Sequence, residues 1–458
     1  MSIREQHMGS VPLAWTPRAL FTVAFLGITA GVQMSDLGVQ ALSLSAIQKT
    51  FGVSDAALGA LQGLAGVLVG SFVAIPLARF ADRFSRKRVL LCLILASTAM
   101  MVLSAFAPNF PLFFLGRSAA GITEFAMIPL VYSMIPDLAP ERDRVLANLS
   151  FAALMAIGAS AGFYFGGAII DAGTRIFPFE IEPWRKGFLL ISMAGPPLLL
   201  IGLLTADPPR QIISANPKLT VSLGLFLRQR WRAVGLFMGI AGCLLIAVQA
   251  LNQLIALALE RRFESDIAAI GRAMGLIVLA TSVGCLPVAG LLDRQLSRRF
   301  GAAARPAIMG SGALAAIPFV LMLPATASLN QALVIVGAFL FLTCTANALV
   351  PTMLQDLTPV SVRARSFAVW SFVVSIFSAS GPLLAGTLSD RIFDKHMLNA
   401  ITATAVPALA LSAFCAVRSF LRTRREQAEA RGLLGYADAE TQASANAQNS
   451  AASANTLS

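Results

Sequence analysis

The feature that most constrains this chain is a series of long apolar runs. Stretches of about 20 residues with few charges, the length that crosses a hydrocarbon core, fall approximately at 18–43, 57–80, 88–107, 110–134, 148–170 and 187–205. A second set follows at 232–257, 270–292, 305–324, 330–355, 365–388 and 397–420. Inside lipid a backbone must satisfy its own hydrogen bonds, so runs of this length read as helices. The sequence therefore predicts an all-α membrane protein with twelve transmembrane helices. Composition supports the reading, because only 13% of the 458 residues are charged and 57% are hydrophobic. Soluble domains carry about a quarter charged residues. This chain cannot dress an ordinary wet surface.

The formal net charge of +12 raises nucleic acid as a partner, but the pattern excludes it. The basic residues form short clusters between apolar runs, which is the distribution that sets membrane orientation. Arg79, Arg83, Arg86, Lys87 and Arg88 fall on one side, with Arg294, Arg298, Arg299, Arg418, Arg422, Arg424 and Arg425. The other side holds a thinner set that includes Lys49, Arg185, Arg261 and Arg272. Both termini are thus expected in the cytoplasm, in a membrane of the bacterial inner (plasma) type. Residues 1–17 form a polar leading segment, and the first apolar run is too long for a signal-peptide core.

The expected domains are two six-helix bundles, 18–206 and 232–420, joined by a cytoplasmic linker at 207–231. A tail at 421–458, rich in Ala, Ser, Asn and Gln beyond Arg431, is expected to be largely disordered. Five cysteines stand singly in apolar stretches, and the two histidines, His7 and His396, lie outside them. No disulfide framework, metal site or cofactor is expected.

The halves repeat. Pro76-Leu-Ala-Arg-Phe-Ala-Asp82-Arg83 answers Pro287-Val-Ala-Gly-Leu-Leu-Asp293-Arg294. Asp137-Leu-Ala-Pro140 with Arg144 answers Asp356-Leu-Thr-Pro359 with Arg363, and at that same offset Gly162 and Gly167 fall on Gly381 and Gly386. Two parallel six-helix repeats, with a substrate path between them near the midplane, make up the major facilitator arrangement.

Ala78-Arg-Phe-Ala-Asp82-Arg83-Phe-Ser85-Arg86-Lys87 resembles the loop 2–3 signature of the major facilitator superfamily, with Ala78 and Ser85 in place of its glycines. Gly121-Ile-Thr-Glu124-Phe-Ala, the segment from Pro129 to Pro140, Trp184-Arg185 and Asp207-Pro208-Pro209-Arg210 look more narrowly like the spinster-type branch. The resemblance implies a secondary transporter, proton-coupled, in a branch whose animal members move lysolipids and sphingoid phosphates. Spinster-like first spans often read Asp-Arg at the coupling aspartate, and here the pair is Asp36-Leu37.

Ionisable residues inside a span are costly to insert, about 2.5–3.5 kcal/mol each, and point to function. The fourth run carries Arg117 and Glu124. Seven residues return to nearly the same helix face, about 10 Å along the axis, so these two and Gly121 share a stripe. Asp36 lies in the first run on the side of Gln33 and Gln40. Burial disfavours a charged carboxylate and a nearby arginine favours it, so Asp36, Glu124 and Arg117 form the candidate proton-coupling set. A substrate anion that competes for Arg117 would free a carboxylate to take a proton. The alternative role is fixed pairing that sets helix packing.

Asp82, Arg83, Arg86 and Lys87, with Asp293 and Arg294, sit at helix ends and form a candidate conformational latch. Gln33, Gln40, Tyr132, Gln249, Asn252 and Asn347 are candidates to line a substrate cavity, or to bond between helices. Gly158, Gly162, Gly166 and Gly381 read as helix-packing positions.

No Walker A loop is present, and neither an HExxH motif nor clustered His and Cys residues provides a catalytic set. A receptor or scaffold is disfavoured by the short loops. The expected activity is alternating-access transport of a small amphipathic or anionic solute by a monomer in the bilayer. Drug export and carriage of organic acids or sugars are the alternatives.

Overall fold

The computed structural model describes residues 15–68, 84–140, 143–207, 223–358 and 363–455, and among these the regular structure is helical. The helices of the first half are α1 (Pro17–Phe51), α2 (Asp55–Ala60, widening to π-helical turns over Leu61–Leu68), α3 (Arg86–Ala105), α4 (Phe110–Leu138), α5 (Arg144–Ile176), α6 (Pro183–Ser192) and α7 (Gly195–Leu204). Those of the second half are α8 (Leu223–Phe263), α9 (Ile267–Phe300), α10 (Ala304–Met322), α11 (Leu329–Asn347), α12 (Val350–Leu357), α13 (Arg363–Arg391) and α14 (Met397–Asn455). Among the described residues nine segments are long and apolar enough to cross a membrane, and one of them, Ile267–Ala325, holds both α9 and α10.

Local chemistry sets the ends. Thr16 accepts a hydrogen bond from the Ala19 amide at the start of α1, with Pro17 in the first turn. Such a side chain satisfies one of the orphan amides of a helix start. Gly52, at φ 62°, closes α1 in the left-handed conformation that glycine adopts without strain. Ser54, Ser85, Asn109, Asp266 and Ser328 cap α2, α3, α4, α9 and α11 in the same manner as Thr16.

Three details differ from the sequence reading. The sixth run is two short helices meeting at Met193–Ala194, just before Gly195-Pro196-Pro197, where proline removes backbone donors. The linker is partly helical, because α8 begins at Leu223 and carries a non-helical kink at Arg230. The tail continues α14 as helix to Asn455 rather than leaving it irregular. Its alanines, glutamines, glutamates and arginines are strong helix formers, which explains the extension.

The two halves are related by the offsets seen in the sequence. Within each half, α5 lies along α1 and α13 lies along α8. A Cβ added at Gly158 would come within 2.1 Å of Gly31 O, and one at Gly162 within 2.1 Å of Ser35 O. At Gly166 it would meet the Leu42 side chain at 2.6 Å, and at Gly381 it would lie 2.3 Å from Ile246 O.

Between halves the contact repeats with its own symmetry. Gly59 and Gly63 on α2 face the carbonyls of Pro382 and Ala379 on α13 at 2.2 and 2.3 Å by the same measure. Gly271 and Gly275 on α9 face the carbonyls of Phe163 and Ser160 on α5 at 2.7 and 2.8 Å. The first seam sets its Gly-x-x-x-Gly face against bare backbone, while in the second the Leu42 side chain and Tyr164 Cβ also press on Gly271 and Gly275, at 2.7 Å by the same measure. Small residues let helices approach this closely in lipid. The Ser160 hydroxyl also donates to the Gly275 carbonyl at 2.7 Å.

Candidate functional site

A buried ion pair joins α1 to α4. Arg117 Nη1 lies 2.6 Å from Asp36 Oδ2, with the aspartate side chain 0% and the arginine 3% exposed. The guanidinium also stands over the Phe188 ring of α6, 5.1 Å from its centre. The Asp36 carboxylate accepts no well-aligned hydrogen bond from the described residues. A buried pair gains stability only when its geometry offsets the loss of hydration, and removing one partner costs about 3–5 kcal/mol. The sequence groups Asp36 with Arg117 and Glu124 as a candidate coupling set, and the structure brings Asp36 and Arg117 into direct contact. Helix α4 runs unbroken from Phe110 to Leu138, past both Arg117 and Glu124. The Glu124 side chain lies outside the described residues.

Above this pair an amide chain crosses from half to half. Gln40 Nε2 donates to Gln62 Oε1. Gln62 Nε2 donates in turn to the Gln253 carbonyl at 3.1 Å and to Gln253 Oε1 at 3.3 Å. Gln33 stays within the first half, where its Nε2 donates to Ser97 Oγ at 3.4 Å. Gln249, Asn252 and Asn347 are half-buried, whereas Tyr132 is exposed and sets its ring edge-on to Phe151 with centroids 5.2 Å apart. Gln62 was not singled out in the sequence reading, although it carries the same signal as the other amides, a polar side chain in an apolar run.

The end of the bundle where α1, α8 and α13 finish and α2 begins holds a second network. Arg261 grips Asp55 with two hydrogen bonds, Nη1 to Oδ2 at 2.8 Å and Nη2 to Oδ1 at 2.6 Å. Gln48 donates to Asp55 Oδ1 at 2.8 Å and Ser389 to Oδ2 at 2.7 Å. Asp390 accepts from the amides of Asp55 and Ala56 at 3.1 and 2.7 Å, holding the first turn of α2. Burial pushes the Asp55 carboxyl up, but the hydrogen bonds from Arg261, Ser389 and Gln48 and the Arg261 charge outweigh it and hold the group below the usual carboxylate range. Asp55, Gln48 and Arg261 sit at or beyond the ends of apolar runs, where the sequence reads them as loop-side charges. Their meeting depends on the fold.

At the opposite, basic end three ion pairs among the described residues each join helices of one half. Arg86 at the start of α3 pairs with Asp137 at the end of α4. Lys87 donates to the carbonyls of Leu203 and Thr205 at 2.7 and 2.9 Å, satisfying the end of α7. In the second half Arg305 at the start of α10 reaches Asp293 on α9 at 3.1 Å and also pairs with Asp356 at the end of α12. Arg305 follows Arg86 by the same 219 positions by which Asp356 follows Asp137. That offset could have identified Arg305, which the sequence reading passed over. Arg294 is exposed, and Asp82 and Arg83 lie outside the described residues.

Trp184 and Arg185 brace the far end of the first half. Arg185 Nη1 donates to the Ala105 and Ala107 carbonyls at 2.8 and 2.7 Å, and its guanidinium stacks on Trp184 at 4.6 Å. The Trp184 indole donates to Thr50 Oγ1 at 3.0 Å.

Comparison with known proteins agrees with this architecture. The model of the Major Facilitator Superfamily matches residues 26–350. The 3-(3-hydroxy-phenyl)propionate transporter of Escherichia coli (strain K12) is 24% identical over 389 residues, covering 82% of this chain and 89% of that protein. The sphingosine-1-phosphate transporter SPNS2 of Mus musculus is 34% identical over 130 residues, 28% of this chain and 23% of that one. The crystal structure of a bacterial homolog of the human lysosomal transporter Spinster, inward-facing and unoccupied, superposes with a TM-score of 0.75 at 20% identity, covering 90% of this chain and 98% of that one. With two repeats, paired seams and a family model spanning both halves, the chain belongs to the Major Facilitator Superfamily and is a multi-pass membrane transporter.

Proposed function

We propose that the chain is a proton-coupled secondary transporter that works by alternating access on an amphipathic organic anion, with a lysolipid-like cargo favoured. The observation that carries this reading is the Asp36–Arg117 ion pair, buried between α1 and α4; the seven-residue spacing of Glu124 from Arg117 supports a shared face of α4. Arg117 offers an anion five donors on a planar fork. An anionic headgroup that takes the guanidinium leaves Asp36 without its counter-charge, and a proton then replaces the arginine. Binding of cargo and uptake of a proton are thereby linked, because an unpaired carboxylate in lipid is costly. Glu124 is the second proton acceptor in this scheme. The protein acts as a monomer in a bacterial inner membrane, with both termini in the cytoplasm.

The similarity to a sphingosine-1-phosphate transporter supports a lipid-like phosphate as cargo. A second reading, a small aromatic carboxylate, is favoured by the longer match to a 3-(3-hydroxy-phenyl)propionate transporter. Both cargoes present an anion on an apolar body.

The test uses proteoliposomes with a trapped pH dye, challenged in turn with a lysophospholipid and with 3-(3-hydroxyphenyl)propionate. One of them should move protons with it. Glu124→Gln and Asp36→Asn should lose accumulation against a gradient, and Glu124→Gln should keep exchange across a gradient-free membrane. The coupling assignment fails if neither cargo moves protons, or if Glu124→Gln accumulates cargo normally.

A further inference from the structure

At the basic end, α8 and α14 part around a cavity of about 730 Å³ lined by Trp231, Arg232, Arg418, Arg422 and Arg425, with Gly235, Leu236 and Leu421 beneath. Three features specify what it would hold. The first is charge. Arg418, Arg422 and Arg425 fall on one face of α14, since residues three and four apart are helix neighbours, and Arg232 joins them from α8. Two carboxylates share the site. Glu426 accepts from Arg422 Nε at 2.9 Å, and Glu429 lies on the rim. Four guanidinium groups against two carboxylates leave an excess of positive charge. Arg422 Nη1 is buried and donates to no described residue.

The second feature is apolar. Phe414, Val417 and Leu421 form an exposed stripe on α14, at 60%, 51% and 49% of full exposure, running away from the arginines toward the middle of the span. A Cβ at Gly235 would meet nothing within 4 Å, so the floor of the cavity is open. The third is depth. Trp231 is 64% exposed directly after the kink at Arg230, and Arg232 stacks over its ring at 5.3 Å. An exposed tryptophan at the end of a span marks the headgroup level.

We propose that this cavity binds the headgroup of an anionic phospholipid, whose phosphate meets Arg232, Arg418, Arg422 and Arg425 while its acyl chains lie along Phe414, Val417 and Leu421. Arginine forks match phosphate oxygens in pairs, and basic pockets between helices at this depth suit anionic headgroups. A soluble anion would use the arginines but not the apolar stripe. The site is separate from the Asp36–Arg117 pair and stands whether or not that pair couples protons.

The experiment is lipid retention by the full-length purified protein, followed by native mass spectrometry and thermal unfolding. Phosphatidylglycerol should remain bound and raise the unfolding temperature, whereas phosphatidylcholine should do neither. Each arginine should contribute about fivefold in affinity, so Arg418→Gln, Arg422→Gln and Arg425→Gln combined should weaken phosphatidylglycerol roughly a hundredfold. Arg232→Gln alone, an exposed position, should weaken it several-fold without loss of folding. Equal retention of phosphatidylcholine would overturn the proposal, as would phosphatidylglycerol binding unaffected by Arg232→Gln. Stabilisation by inorganic phosphate alone to the same extent would assign the arginines to a soluble anion and overturn the lipid source.

Discussion

The described ion pairs at the two ends of the bundle tie different things together. At the basic end, Arg86 with Asp137 and Arg305 with Asp293 and Asp356 join helices of the same half. At the far end Asp55 of the first half is held by Arg261 and Ser389 of the second, and Asp390 returns the contact to α2. Pairs inside a half are placed to hold it as a unit, and the Asp55–Arg261 pair is placed to hold the far mouth shut. The candidate latch read from the sequence sits at the basic end, and Asp55–Arg261, an ion pair that spans the halves, lies at the other.

Gly59→Leu should have the largest effect. Its first side-chain carbon would come 2.2 Å from the Pro382 carbonyl, a backbone atom that cannot step aside. Far-end closure should be lost, seen as a wide distance between spin labels at Lys49 and Ile392. A narrow distance in that variant would mean the glycine seam does not control closure.

Asp55→Asn should act less severely. Arg261 is a quarter exposed, so water covers part of the loss. A change of about 2 kcal/mol, roughly thirtyfold in the closed-to-open ratio, is expected in the same distance measurement. The wild type should imitate it in acid. A carboxyl held below its usual range favours closure at neutral pH, and that preference fades as pH falls below about 4. Closure that weakens instead as pH rises would contradict the assignment.

Arg305→Gln should have the smallest effect and a different kind. Its partners Asp293 and Asp356 are 23% and 41% exposed, so stability should fall by about 1 kcal/mol with the distance unchanged. A shifted distance would mean that pairs inside a half also set the opening.

Much of the fold is legible from one dimension, because span length and repeat offset are properties of a string. The offset that aligned Asp137 with Asp356 also relates Phe163 to Pro382 and Ser160 to Ala379, the carbonyls of the two seams. Gly59 and Gly63, or Gly271 and Gly275, are visible as spacing-four pairs, but a spacing does not name the helix that fills it. Arg117 and Asp36 stand out as charges in apolar runs, yet nothing in their neighbourhoods says that they touch across 81 positions of chain. Asp55 and Arg261 were least legible, since a charge beyond the end of a span looks like topology until the fold closes over it.

The seams also constrain how this protein can change. A side chain that clashes with another side chain can be rescued by trimming its neighbour. At Gly59 and Gly63 the nearest neighbour is a carbonyl that every residue type carries. A genetic selection for recovery from Gly59→Val should therefore return reversion to a small residue, or changes elsewhere that disfavour the competing conformer, and no replacement at Pro382.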